Sequence, residues 1–420
     1  MTERTRIFRG WTMVAATHVL FALIFGAMYS FGAFFEHVQA AFGTGRFGAS
    51  AVFSATAFLY YACGLVSGAL ADRFSARAVV GCGIVLLALG FALGSLAASL
   101  GVLLLVFCGL VGAGVGLVYV PAIAVVQRWF VRHRSRASGL ALAGTGVGTF
   151  IGPMVAAMLI PWLSWRTTMQ CFAAVIAVLG IAAAARLVRA PEDVGLRPDG
   201  DPPQGATDGR VSGGSPGGLT PSQAFASSHF WWYFASILFA SVGLFAALVH
   251  IHPFAQALGA SATQASLLIG LIGVGNVGGR LVLGGLGDRM GPQRLLMALT
   301  VALALLNCLW LRADGFWTLA VFALLFGAAN GGCIALYPAV AAGWFGTARL
   351  GAILGALYVG VGIAALIGAS VAAWMFDLFQ SYAAPIAGSA LLAVLSAVCL
   401  AMAGRQASRR IDCLPEKSVA

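Results

Sequence analysis

GALADRFSAR, Gly68 to Arg77, returns 216 residues later as GGLGDRMGPQ, Gly284 to Gln293. A polar and basic phrase repeated over such a distance marks a duplicated unit. Each copy stands between two long apolar runs, so what is duplicated is a set of such runs. Composition agrees: 60% of residues are hydrophobic and 9% charged, with a mean hydropathy of +0.95. Soluble domains hold about 45–50% apolar residues, so the chain belongs in a bilayer. A run of about 20 apolar residues crosses a hydrocarbon core of about 30 Å. Twelve such runs are present, near 11–35, 50–70, 77–98, 101–124, 137–160, 167–186, 230–252, 263–286, 293–311, 316–339, 350–376 and 382–403.

The basic residues orient these runs. The N-terminal MTERTRIFRGW is basic, but the apolar run that follows is long and has no clear cleavage site, so it reads as a retained first span. Twelve spans starting inside leave both termini cytoplasmic. Twenty Lys and Arg residues then fall on the cytoplasmic side, including Arg4, Arg6, Arg128, Arg189, Arg210 and Lys417. Only Arg46, Arg166 and Arg312 fall outside, as the positive-inside rule requires. The net charge of +11 is thus an orientation signal and a poor argument for nucleic-acid binding. The eight cysteines, Cys413 among them, form no CxxC pair and have no histidine at ligand spacing; they read as small packing residues. No metal or cofactor is implied.

The one long polar stretch, RAPEDVGLRPDGDPPQGATDGRVSGGSPGGLTPSQ (Arg189 to Gln223), reads as a flexible linker. It divides the chain into an N-terminal six-helix bundle (1–188), a linker (189–228), a C-terminal six-helix bundle (229–404) and a tail (405–420). Fainter echoes follow the fourth span of each half: VGAGVG with FGAANG, and RWF with GWF at Trp129 and Trp344. In the fifth span GTGVGTFIGP (Gly144 to Pro153) carries small residues every three or four positions, suited to close helix packing. These glycine strings follow no strand and precede no GK[ST], so phosphate binding is not their role. The expected fold is all-α: twelve transmembrane helices in two pseudo-symmetric bundles, a parallel duplication that puts a transporter's site near mid-membrane.

The pattern G-x-L-x-D-R, at Gly68, Leu70, Asp72 and Arg73 and again at Gly284, Leu286, Asp288 and Arg289, resembles the loop signature of the major facilitator superfamily. The resemblance covers about 10–404. It implies that Asp72, Arg73, Asp288 and Arg289 hold a gate by pairing with charges and helix ends, a role suited to groups at helix termini that repack when two halves rock. Simple anchoring by topology charges is the plainer alternative.

Within the spans few polar residues remain. SLLIGLIGVGNVGG (Ser266 to Gly279) carries no charge, yet Arg280 follows it. Arg280 lies nine residues from the loop residue Arg289, about 13 Å along a helix. Burying an arginine at that depth costs at least about 2.5 kcal/mol, and it cannot discharge. It must face water, a partner or a ligand, and no acid lies deep in any span. A guanidinium grips a carboxylate bidentately, which suits an organic anion; a structural cation held by helix carbonyls is the alternative. Asn276, one turn away on the same face, is placed to orient the guanidinium or meet a substrate hydroxyl. Tyr119 has the same depth relative to Arg128. Tyr337, Asn330, Tyr358 and Tyr29 are further candidates, with structural roles equally open.

The N-x-x-x-R pair of the eighth span, VHIHPFAQALG (Val249 to Gly259) and FRGW (Phe8 to Trp11) resemble the bacterial branch of the monocarboxylate transporters and the related oxalate:formate antiporters. The resemblance implies that Arg280 anchors the substrate carboxylate and that His250 belongs to the site or its gate. The chain departs from oxalate carriers in having no cation in GAILGALYVGVGIAAL (Gly351 to Leu366). It departs from animal monocarboxylate carriers in having Asn276 where they have an acid, and Tyr29 near where they have a lysine. His250 is a candidate to take the proton or to gate, and a structural histidine is the alternative; His18, His37 and His252 read as structural. The expectation is a monomeric carrier in a bacterial inner membrane that moves a small monocarboxylate, lactate-like or pyruvate-like, with a proton. Anion exchange and export of larger organic compounds are the alternatives. No HExxH or GxSxG is present, so no enzyme is expected.

Overall fold

The computed structural model describes residues 8–201 and 218–412. Arg4, Arg6, Arg210, Lys417 and Cys413, with the middle of the linker and the end of the tail, lie outside the described residues. The fold is all-helical, and eleven of the described helices are long and apolar enough to span a bilayer. In order they are α1 (Arg9–Phe42), α2 (Arg46–Arg73), α3 (Ala76–Gly94), α4 (Leu100–Trp129), and the element Arg134–Arg186, then α7 (Ser228–Ala257), α8 (Ala262–Met290), α9 (Pro292–Leu311), α10 (Phe316–Phe345), α11 (Leu350–Phe379) and α12 (Ala383–Asp412).

Arg134–Arg186 has 53 residues, about 80 Å at 1.5 Å per residue and far more than one crossing requires. It reverses at Ser164, whose φ of 71° lies in the left-handed region, three residues after Pro161. Ser164 Oγ accepts from Thr167 N at 3.4 Å, capping the helix that follows. The element is therefore two helices, α5 (134–163) and α6 (165–186), which gives the twelve spans read from hydropathy. Large apolar side chains stay exposed along the helices, among them Leu105, Phe150, Trp162 and Trp317. In water such a surface would aggregate; in lipid it is the solvated face.

The chain forms two compact units. The first comprises Met1–Gly217 with Thr347–Ala356, the second Gly218–Gly346 with Leu357–Ala420. Each is built on seams where glycine lets backbones meet. In the first, a Cβ on Gly144, Gly148 or Gly152 of α5 would strike the carbonyl oxygen of His18, Ala22 or Gly26 of α1, which is the close packing expected of GTGVGTFIGP. In a second seam of that unit, Cβ atoms on Gly112 and Gly116 of α4 would lie 2.8 and 2.7 Å from the carbonyl oxygens of Thr56 and Tyr60 of α2.

The second unit repeats both seams in register. Gly327 and Gly331 of α10 meet the carbonyls of Ile272 and Asn276 of α8, and Gly368 of α11 meets the Val242 carbonyl of α7. Each of these residues stands 215 or 216 positions after its counterpart. The echo of VGAGVG in FGAANG is thus the trace of one glycine seam built twice.

The described ends of the linker are ordered, a correction to the reading of that stretch as flexible. Short 3₁₀ turns form at Pro191–Val194 and Pro198–Gly200. Asp199 Oδ2 accepts from Val131 N at 2.9 Å and Arg132 N at 2.8 Å, tying the turn to the loop after α4. Beyond the undescribed residues, Thr220 caps the one-turn helix Pro221–Phe225, and Leu219 N donates to Phe345 O at 2.8 Å.

Candidate substrate site and gate

α8 is positioned against α10 by glycines on both helices: Gly275 and Gly279 meet the carbonyls of Leu324 and Ala328, as Gly327 and Gly331 meet those of Ile272 and Asn276. Arg280 follows Gly279 directly, so the seam fixes its position along α8. It is buried, at 8% exposure. Asn276 is half-buried one turn away. By the register of the seam, Asn276 corresponds to Tyr60 and Arg280 to Gly64. The arginine is an addition to one copy of a duplicated frame.

The other candidates in the second unit stand on other helices. Asn330 precedes Gly331 on α10 and is buried, but its Nδ2 donates to Phe326 O at 3.0 Å within its own helix. Tyr337 is buried beside Tyr233, whose hydroxyl donates to Tyr337 O at 3.0 Å. Tyr358 is buried on α11. His250 is buried near the end of α7, its ring 6.1 Å from that of Tyr382. In the first unit Tyr119 and Tyr29 belong to one aromatic cluster. The ring of Tyr119 lies 5.0 Å from Phe21, 5.8 Å from Phe25 and 6.0 Å from Tyr60, and that of Tyr29 lies 6.1 Å from Phe25 and 5.9 Å from Phe53. His18 Nδ1 lies 2.7 Å from Leu140 O.

The first loop signature forms a built charge centre. Asp72, 4% exposed, ends α2. Its Oδ1 pairs with Arg128 Nη2 at 2.6 Å. The same carboxylate accepts from Gly351 N at 3.3 Å and Ala352 N at 2.9 Å, in the first turn of α11. A carboxylate on the N–H groups that open a helix satisfies orphan donors and meets the positive end of the dipole. The approach needs glycine: a Cβ on Gly351 would lie 3.0 Å from Asp72 Oδ1, and one on Gly68 would strike the Gly351 carbonyl. Arg128 Nε donates further to Thr347 O at 3.2 Å.

Arg128 was legible only as a topology charge, yet it is 7% exposed and partners Asp72. The available signal was the RWF and GWF echo, in which Gly343 stands where the first half has Arg128. Arg73 does not share the centre of its neighbour; it is exposed and lines a separate cleft with Arg77 and Arg189. In the second signature Asp288 is half-buried and Arg289 exposed.

Comparison with known proteins is consistent with this architecture. The rat protein Monocarboxylate transporter 13 (Rattus norvegicus) is 29% identical over 388 residues, covering 91% of this chain and 87% of the relative. The Agnestins efflux protein of Paecilomyces divaricatus is 25% identical over 349 residues, covering 82% and 76%. Among solved structures, the fucose:proton symporter of E. coli superposes with a TM-score of 0.72 at 17% identity over 93% of this chain and 98% of that one, which speaks for the fold alone. Residues 17–305 and 239–412 match the Major Facilitator Superfamily. The chain belongs to the Major Facilitator Superfamily and is a membrane transporter, not an enzyme.

Proposed function

We propose that this transporter carries small monocarboxylates of lactate or pyruvate size, with Arg280 as the carboxylate anchor and Asn276 beside it. The observation that carries the reading is a permanently charged side chain at 8% exposure in mid-span, on only one of two otherwise registered helices. A planar guanidinium matches a carboxylate in geometry and charge, and low local dielectric strengthens the contact. One fixed cation suits one carboxylate. Relatives named as monocarboxylate transporters support the same substrate class.

Tyr119, Tyr29, Tyr337, Asn330, Tyr358 and His250 are secondary candidates for contacts to the rest of the substrate. Asp72, Arg73, Asp288 and Arg289 are proposed to act on conformation and not on substrate, with Arg128 as the partner of Asp72: charges at helix ends are elements suited to alternating access. Proton symport is the favoured energetics, because substrate anion and proton together leave the empty and loaded carrier with equal charge. We propose a monomer in a bacterial inner membrane, and the distribution of its arginines supports cytoplasmic termini.

The test is uptake into proteoliposomes across a panel of monocarboxylates, with and without an inward pH gradient. Acceleration of lactate or pyruvate entry by the gradient is the expected result. Stimulation by anion on the opposite side without any pH effect would replace symport by exchange. The efflux relative favours one second reading, export of larger organic compounds; transport confined to such compounds would replace the monocarboxylate assignment.

A further inference from the structure

The arginine of the first signature, Arg73, faces away from the charge centre that its neighbour Asp72 builds. It lines an open cleft of about 410 Å³ with Arg77 and Arg189, where α2 ends, α3 begins and the chain leaves α6. Asp193 is the one acid in the lining, and its Oδ2 already accepts from Ala190 N at 3.3 Å. Two of the three guanidiniums are fixed by a backbone bond. Arg77 Nε donates to Leu187 O at 3.1 Å, and Arg189 Nη2 donates to Asp72 O at 3.1 Å. Each guanidinium has five N–H donors, so both keep donors for a ligand. Arg73 makes no hydrogen bond or ion pair among the described residues.

Three cations held around a concave surface repel one another, and the surplus charge is relieved by an anion with several acceptor oxygens. Phosphate is the match for converging guanidiniums. Phe74, 60% exposed, also lines the cleft; an exposed apolar ring beside arginines suits a lipid, whose headgroup is charged and whose chains are apolar. We propose that this cleft binds a phosphate-bearing anion, supplied by an anionic phospholipid headgroup, with Arg73, Arg77 and Arg189 as its donors. On the orientation proposed above, the cleft opens at the cytoplasmic leaflet, where anionic lipids and basic pockets between helices meet. Because Arg189 also holds the backbone of Asp72, occupancy reaches the residue that pairs with Arg128.

The experiment uses the full chain in neutral detergent and reads its melting temperature while phosphatidylglycerol, phosphatidylcholine or inorganic phosphate is titrated, with sodium chloride at matched ionic strength as control. A ligand that binds only the folded state stabilises it by an amount that grows with the logarithm of its concentration over Kd, so the melting temperature rises with ligand concentration. Phosphatidylglycerol should raise it at concentrations where phosphatidylcholine and salt do not. Arg73→Glu should weaken that response about tenfold, the equivalent of one strong contact. Arg73 has no structural bond to lose, so this variant keeps the test valid if Arg77→Gln or Arg189→Gln fails to fold. An equal response to inorganic phosphate would support the cleft as a phosphate site and assign its source to solution. No response to either phosphate-bearing anion beyond that to salt, or a response unchanged in Arg73→Glu, would overturn the proposal.

Discussion

The seam of α2 with α4 and the seam of α8 with α10 are one construction made twice, and they differ where charge is concerned. Gly112 and Gly116 rest on the carbonyls of Thr56 and Tyr60; Gly327 and Gly331 rest on those of Ile272 and Asn276. Along this shared register the first unit has Gly64 and Arg128, where the second has Arg280 and Gly343. Each unit thus carries one buried arginine that the other lacks. Arg128 is committed to Asp72 and, through it, to the opening turn of α11. Arg280 sits in mid-span, within α8. The glycine frame tolerates duplication because it needs only small residues, whereas a buried charge is expensive and is retained where it has a task.

That comparison is broken most severely by filling a seam. Gly331→Leu drives a side chain into the Asn276 carbonyl. It should abolish recovery of folded protein, since overpacking commonly costs about 1–3 kcal/mol even where neighbours can shift. Gly278, with open space around it, is the control: Gly278→Leu should leave the melting temperature almost unchanged.

The next effect is at the gate. Asp72→Ala leaves Arg128 buried without its partner, a loss of about 3–5 kcal/mol, read as a lower melting temperature. Asp288→Ala should cost less because Asp288 is only half-buried. Equal losses would mean that burial does not separate the two signatures.

Asn276→Ala should raise KM about two- to tenfold, the range of one hydrogen bond, with maximal transport rate retained. Smallest is His18→Phe, which removes the contact to Leu140 O. It should cost about 1 kcal/mol of stability and leave transport kinetics intact; altered kinetics would move His18 from the frame to the mechanism.

Much of the fold was legible because membrane helices announce themselves by length and hydropathy, and because Asp72 and Asp288 recur at a fixed offset. The fifth and sixth spans, joined at Ser164 with no loop between them, were still separable by the polar break in hydropathy. What sequence did not give was partnership. Arg128 and Asp72 lie 56 positions apart and Asp72 and Ala352 lie 280 apart, and no periodicity links them. The ordered turns at Pro191–Val194 and Pro198–Gly200 were also hidden, because Pro, Gly and Asp favour flexible linkers and tight turns alike. Arg280 was legible for the opposite reason, since an isolated charge in an apolar run needs no partner to be noticed.

The central claim is that Arg280 grips a carboxylate, and substrate transport by its variants tests it most directly. Initial rates of lactate and pyruvate uptake into proteoliposomes should be compared for the native chain, Arg280→Lys and Arg280→Ala, each reconstituted at equal folded density. A charge-assisted, bidentate contact predicts that alanine abolishes uptake and that lysine, which keeps the charge but loses the planar fork, recovers only a small part of it. Uptake at the native rate in both variants would contradict the account and leave Arg280 as a structural cation.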